Sequence, residues 1–543
     1  MQRICTEVAM LSVLLGVFAW GACSKRQPEA PVDDKLHTVA FGGDAIIGRR
    51  MNSFIMDNDY SVPLEKVAGI LRGADLAVVN LEAIIATGGR QIDKGDRGIC
   101  HFRGRPETVR ILTEAGVDIA SLANNHAGDY GPAAVRQGLE IIRKAGITPV
   151  GAGEDLKGAL APAYAKLGNT VVAVIAAHST QRRALATPER AGNNFLSLSN
   201  PDKFVRTVKK QVAQARKYAH VVLFAVHWVE KDKQAPPSAR MKKLARRLVK
   251  EAGIDALLGT GSHFLKGVEL IDTKPVIYDV GNLIFDFDSK KSRRLDMNKS
   301  GLFILHLNSS GIRRVEVVPI LLEYCRTAPA SGKTAVRMMK KFINASKKFG
   351  TEVKLSGHRA VIEIENAKAP PPPSARYTEK KKPAPVLPEP ASYRHDVVVD
   401  KIPESAVQRK VRFENGIELL AYEIPEKELL KPGVRIDTYW RAIEPLDELY
   451  SMTPRVEADF SEKKWRGTHM PGDWMYPTTW WKPGQIIRDT VLVTAPGDVK
   501  PGVHRFFISI VSKDGRLKVL EPSENDGPDY AYVGTTVLGN SKK

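Results

Sequence analysis

Several polar residues in this chain are of the types from which metal-dependent hydrolytic sites are built. Asp44 follows Gly42-Gly43, so its carboxylate leaves a tight strand-to-loop turn. Glu82 closes Asn80-Leu81-Glu82, and Asn124-Asn125-His126 is followed by Asp129-Tyr130-Gly131. His227 ends the apolar run Val221–Val226, and His263 follows Gly259-Thr260-Gly261-Ser262. Carboxylates, an amide oxygen and imidazoles together suit one or two divalent ions of the Mn, Fe, Zn or Mg kind. Two such ions can hold a phosphate and activate a water for in-line attack. Taken singly, each residue has a plainer reading. Asp after Gly-Gly is a turn former or helix cap, a strand-end histidine is a hydrogen-bonded structural group, and Asn-Asn-His is turn chemistry.

Placement ties them together. Thr38–Gly42, Asp75–Asn80, Asp118–Ala123, Val171–Ala177, Val221–His227, Ile254–Leu258 and Pro275–Val280 are apolar runs of strand length. Helical periodicity fills Leu64–Leu71, Pro106–Ala115, Pro132–Ala145, Lys203–Lys217 and Ser238–Ala252, and Gly116 and Gly146 stop two of these helices. Alternating strands and helices predict a sheet with helical layers on its faces. Asp44, Asn80, Asn124–His126, His227 and His263 then all fall at the carboxyl ends of strands, where ligand sites form in such sheets.

With these residues in view, Phe41 to Phe285 resembles the CapA family of poly-γ-glutamate capsule synthesis proteins. The matching segments begin with Gly43-Asp44-Ala45-Ile46-Ile47-Gly48-Arg49, Ala74-Asp75 through Asn80-Leu81-Glu82, and Phe102-Arg103 with Pro106-Glu107. They continue with Asn124-Asn125-His126-Ala127-Gly128-Asp129-Tyr130-Gly131, His227-Trp228, and Tyr278-Asp279-Val280-Gly281-Asn282-Leu283-Ile284-Phe285. The resemblance implies a fold similar to the calcineurin-like metallophosphoesterases. It also implies that Asp44, Glu82 and His263 bind one metal, that Asn125 and His227 serve a second, and that His126 is a catalytic acid alongside Asp44. Arg49, Asn80, Arg103, Asn124, Asp129 and Asn282 become the expected substrate-binding set, since a guanidinium grips phosphate or carboxylate in a two-pronged way.

The chain departs from the family at the distal side of this site. The pattern G-x-H-P-H is Gly259-Thr260-Gly261-Ser262-His263 here, so one ligand histidine is replaced by Gly261. Val229 stands for a glycine, Glu230 is beside the position of a family glutamate, and Arg240 stands near that of a glutamine. Metal affinity depends on ligand count, so a single-metal site, or one that binds without catalysis, enters the reading. Restoring the histidine at 261 is expected to raise metal affinity.

The remaining sequence sets the context. At 543 residues the chain needs more than one core. A net charge of +20 favours anionic partners, and no basic run is interleaved with aromatics, which disfavours nucleic acid. Residues 1–22 read as an export signal, with Arg3 before the apolar stretch Val8–Trp20 and Gly21-Ala22 before Cys23. Cys23 is the expected lipidation site, although Trp20 replaces the usual lipobox leucine; a plain secretory cut near Ala22 is the alternative. A tether spans 23–36, an α/β metallophosphatase-like layered sheet domain 37–325, and its C-terminal extension 326–367. A Pro/Lys-rich stiff linker follows at 368–395, then an all-β sandwich at 396–540. Cys100 and Cys325 are expected to be separate buried thiols. Of the sandwich tryptophans Trp440, Trp465, Trp474, Trp480 and Trp481, core packing is the default, with Trp480-Trp481 as an alternative sugar platform.

These features predict an exported, envelope-associated protein with a divalent-metal site. Its expected partners are an anionic polymer or phosphorylated glycan, the membrane through a lipid anchor, and a capsule-synthesis complex. The alternative is a non-catalytic polymer-binding or scaffold subunit.

Overall fold

The structure is a computed structural model describing residues 35–92, 94, 100–229, 232–286, 293–365, 369–379, 384–388, 397–424, 433–457, 469–472, 474–494, 502–521 and 530–538. The export signal, Cys23, Glu230 and Trp465 lie outside the described residues.

Two mixed sheets face each other. In the first, the order runs Lys354–Ser356, Arg359–Glu363, Gly311–Glu323, Lys299–Asn308, His37–Ala45, Leu76–Leu81, Ile119–Ser121, Thr148–Val150. In the second it runs Val268–Ile271, Lys274–Ile277, Ala256–Thr260, Val221–His227, Thr170–His178, Ala163–Leu167. Side chains alternate across a strand, and the cores follow that period. Val39, Phe41 and Val78 meet Val174, Leu223 and Leu258 between the sheets. Ala40, Ala77 and Val79 face outward to Val67, Leu112, Val135 and Leu139 of the helices Glu65–Arg72, Val109–Glu114 and Gly131–Lys144. On the opposite flank Ile175, Val222 and Phe224 pack on Phe204, Val208 and Leu244 of Pro201–Ala215 and Ala239–Arg247. The result is four layers: helix, sheet, sheet, helix. Each fully buried Val, Leu or Phe contributes about 1.5–3 kcal/mol, so both faces of each sheet help offset the ordering cost of the chain.

The sequence suggests one sheet, whereas the site-bearing strands are divided between two. A strand buried on both faces carries the same apolar run whichever sheet it joins, so the runs alone do not assign it. The hairpin Lys299–Asn308/Gly311–Glu323 turns at Asn308-Ser309-Ser310-Gly311, as that tetrapeptide predicts.

In the C-terminal region, a sheet containing Val407–Phe413, Ile417–Glu423, Gly433–Ala442 and Ile486–Thr494 lies over a three-stranded sheet of Ser451–Glu457, Gly502–Val511 and Ala531–Leu538. All these pairings are antiparallel. Phe413, Leu419, Ile436 and Trp440 of the first sheet share a core with Met452, Phe506, Ile508 and Val533 of the second. Trp440 and Trp481 are buried there. Trp480 carries the Arg105 guanidinium 3.9 Å above its ring, so the tandem tryptophans form a core residue and a domain contact rather than an exposed platform. Between the two regions, the described Pro/Lys-rich residues lie along the first: the Ala375 and Val386 amides donate to the Lys217 and Lys144 carbonyls. Cys100 and Cys325 are both free thiols; Cys325 is buried, but Cys100 is only half-buried.

Among the described residues, no helix is long and apolar enough to cross a membrane.

Candidate metal centre

Register places the central residues. Asp44 lies opposite Asn80 in one neighbouring strand and Asn282 in the other, both parallel to its own. His227 pairs with Thr260 and His178 across the second sheet. Gly43 permits this arrangement, because a Cβ there would sit 1.8 Å from the Gly281 carbonyl oxygen. That same carbonyl accepts the Asp44 amide at 3.1 Å.

The carboxyl ends of the two sheets bring the carboxylates and imidazoles together. Asp44 Oδ2 is 3.0 Å from His263 Nδ1, and Asp44 Oδ1 is 3.4 Å from His227 Nδ1. Glu82 Oε1 is 3.5 Å from His227 Nε2, and Glu82 Oε2 is 3.8 Å from His263 Nδ1. The two carboxylates therefore stand between two histidines. Donor atoms of Asp44, Glu82 and His227 all lie within 4.8 Å of one another. Ligands about 2.1 Å from one tetrahedral ion sit roughly 3.4 Å apart, the spacing seen around the Asp44 and Glu82 oxygens. Glu82 is 1% exposed, yet its Oε2 has no hydrogen-bond partner. A buried carboxylate oxygen left unsatisfied is costly in a protein interior and is satisfied by a cation. The residues fit a divalent ion.

Electrostatics agree. Burial alone would raise the Asp44 carboxyl, but His227 and His263 hold it well below the usual carboxylate range. Burial, reinforced by the Asp44 charge, pushes Glu82 well up. Burial also lowers His263 and His126, with Lys94 adding to the effect at His126. Two carboxylates held this close share charge poorly without a cation between them.

Around this centre, supporting side chains are committed to other groups. Asn80 Nδ2 donates to Asp44 Oδ1 at 2.7 Å and lies 3.2 Å from His227 Nδ1. Asn282 Oδ1 is 3.0 Å from His263 Nδ1. Asn125 Oδ1 sits 2.8 Å from His227 Nε2. His263 adopts a left-handed backbone, φ 67°, and Asp279 holds its loop by accepting the Ser262 amide at 2.6 Å.

The cluster opens into a cleft of about 400 Å³ lined by Glu82, Lys94, Asn125, His126, His227, Lys233 and His263 among others. Asp44 lies beneath it. None of the six residues expected to bind substrate lines it. Arg49 is engaged by Asp286 in a two-pronged pair at 3.0 and 2.5 Å. Arg103 donates to the Thr87 carbonyl at 2.9 Å and stacks on Tyr130. Asn124 spends its amide on Asn80 and the Leu81 carbonyl, and its oxygen accepts the His126 and Ala127 amides. Asp129 pairs with Lys94 and holds His126 Nδ1 at 2.7 Å. Asn80 and Asn282 serve the metal-site residues, as above. The six residues organise the site from behind; Glu82, Lys233 and Lys94, the last buried against Asp129, are the charged residues of the cleft lining.

Lys94 and Lys233 were not found by sequence reasoning. Each sits in a loop without periodicity, where a lysine is ordinarily a solvated surface group. Asp279 lies inside a quoted motif, but spacing gave it no distinct role.

Gly261 also lines the cleft, with φ 113°. A Cβ there would meet the Trp228 carbonyl oxygen at 2.8 Å and its amide at 3.1 Å. The backbone itself is shaped for glycine, so a histidine cannot simply be restored.

Two facing mixed sheets between helical layers, with carboxylates and imidazoles at their carboxyl ends, define a layered α/β domain with a candidate metal centre. Residues 38–287 match the family model described as bacterial capsule synthesis protein PGA_cap. The chain is 26% identical over 328 residues to "Capsule biosynthesis protein CapA" of Bacillus anthracis, covering 59% of this chain and 76% of that one. It is 25% identical over 349 residues to "PGA biosynthesis protein CapA" of Bacillus subtilis, covering 63% and 88%. A solved structure of a hypothetical protein from Thermus thermophilus aligns with TM-score 0.30 and 18% identity, over 54% of this chain and 98% of that one.

Proposed function

We propose that this is an exported, envelope-associated protein of capsule or poly-γ-glutamate biosynthesis whose cleft is a metal-dependent hydrolytic site of phosphoester type. The observation that carries the reading is Glu82 Oε2, a buried oxygen without a hydrogen-bond partner, set beside Asp44 and between His227 and His263. Asp44, Glu82 and His227 would hold a divalent ion, with His263 and Asn125 at its margins. Bound there, the ion would supply Lewis acidity to a phosphoryl oxygen. Lys233 draws an anionic group into the cleft, while Lys94 is held by Asp129. His126 is the proposed acid: with Nδ1 accepting from Lys94 Nζ, 3.2 Å away beside Asp129, the neutral ring keeps its proton on Nε2 for a leaving oxygen. Cys23 is the proposed membrane tether.

Metal content and phosphodiester turnover test this on the full chain. Stoichiometric bound metal, with turnover lost in Glu82→Gln and His126→Ala, is the expected result. A chain that binds no divalent ion overturns it.

A second reading has its own support at Gly261. With a glycine where the family carries a histidine, and no room to replace it, the site has fewer ligands on that side. A domain that binds metal and polymer without turnover would show stoichiometric metal and polymer affinity but no hydrolysis.

A further inference from the structure

A second cleft, of about 450 Å³, adjoins the first. Three chain segments form the wall between them. Lys233, His263 and Met297 line the metal cleft, while their immediate neighbours Gln234, Phe264 and Asp296 line the second. Consecutive residues turn to opposite sides of a shared ridge at three separate places.

The second cleft has an apolar floor and a basic rim. Phe342 and Met338 are buried in its base. Arg294, Lys299 and Lys341 stand around it against a single carboxylate, Asp296. Asp296 accepts Lys299 Nζ at 2.6 Å and Lys341 Nζ at 2.8 Å. Arg294 is exposed and has no ion-pair partner among the described residues. The rim therefore carries more positive charge than its own carboxylate balances.

We propose that this second cleft is an extension subsite for the third and later units of a linear polycarboxylate whose terminal pair of units occupies the metal cleft. The proposal rests on the reading of the metal cleft given above and adds a direction to it: the chain crosses the ridge at Lys233-Gln234, His263-Phe264 and Asp296-Met297. Methylene stretches of the polymer lie on Phe342 and Met338, and a carboxylate reaches Arg294. A sugar polymer fits less well, because the lining offers one amide side chain, Gln234, and no tryptophan or tyrosine face.

Calorimetric titration of the full chain tests the subsite, with a γ-linked glutamate dimer and a longer γ-linked glutamate oligomer, each with and without Mn²⁺. The oligomer is expected to bind about tenfold more tightly than the dimer. Arg294→Glu and, independently, Gln234→Trp should abolish that advantage and leave dimer affinity unchanged. Equal affinity for both lengths in the unaltered chain, or an advantage that survives both substitutions, overturns the subsite. A neutral glucan oligomer whose affinity rises with length and falls in Gln234→Trp overturns the polycarboxylate assignment. Failure of the metal-cleft reading looks different: dimer binding would then be indifferent to Mn²⁺ and to Glu82→Gln, while any Arg294-dependent gain with length would persist.

Discussion

Asp44 and His263 are 219 positions apart in the chain and 3.0 Å apart in the structure, Oδ2 to Nδ1. One comes from the end of a strand in the first sheet, the other from a loop that follows a strand of the second. The contact exists only because the two sheets stack with their carboxyl ends on the same side. A site of this kind depends on the packing between layers as much as on any ligand.

Asn80 tests that dependence without touching the cleft. It donates to Asp44 and meets His227, so Asn80→Ala leaves every proposed ligand in place but unsteadied. Divalent-metal affinity should fall by about 10–100-fold, the usual cost of removing such a supporting partner. Competition against a fluorescent chelator measures it.

Gly261 reverses the expectation drawn from sequence. Because its φ is 113° and a Cβ would meet the Trp228 backbone, Gly261→His should not improve metal binding. It should instead lower stability by about 1–3 kcal/mol, through backbone strain. Gly261→Ala should show much of the same loss in thermal denaturation, separating strain from side-chain chemistry.

His178 sets a pH dependence. Burial holds its pKa down to about 3, despite an Asn193 oxygen 2.9 Å from Nε2. The unfolded chain takes up a proton there below about 6.5 while the folded chain stays neutral. Stability from this group is thus present above pH 6.5 and is lost as pH falls toward 3, by up to about 1.4 kcal/mol per pH unit. Chemical denaturation across that range should show a shallower decline in His178→Gln.

Trp480→Ala should weaken the protein by removing the ring on which Arg105 rests. A desolvated cation–π contact is worth about 2 kcal/mol, to which lost packing adds. Glycan binding, measured by titration with neutral oligosaccharide, should be the same in both proteins.

Cys23→Ser should abolish metabolic labelling with palmitate and release the protein from the membrane fraction. An unaltered chain that takes up no label would remove the tether and leave a secreted form.

Much of the fold was legible in residue patterns. Gly131–Lys144 announced itself by helical periodicity and a glycine stop at Gly146, and Gly311–Glu323 by the turn that precedes it. The clustering of polar residues at strand ends was legible for a related reason: each has a plainer use alone, but several closing apolar runs at one sheet edge converge in space. Side-chain direction was not. Nothing in the spacing of Arg103 says that its guanidinium turns to the Thr87 carbonyl and Tyr130, or that Asn124 is consumed by its own loop. Lys94 was invisible because its importance comes from burial beside Asp129, which only the folded chain creates.

Asn52 gives the C-terminal region a mechanical part. Its Nδ2 donates to the Arg103 carbonyl at 2.9 Å and the Trp474 carbonyl at 3.1 Å, while its oxygen accepts the Arg105 amide at 3.0 Å. One amide group thus splints the strand that leads from the cleft wall at Phe102 to a tryptophan of the distant β-rich region. Removing that single amide would therefore unfasten the β-rich region from the backbone beside the cleft at one stroke.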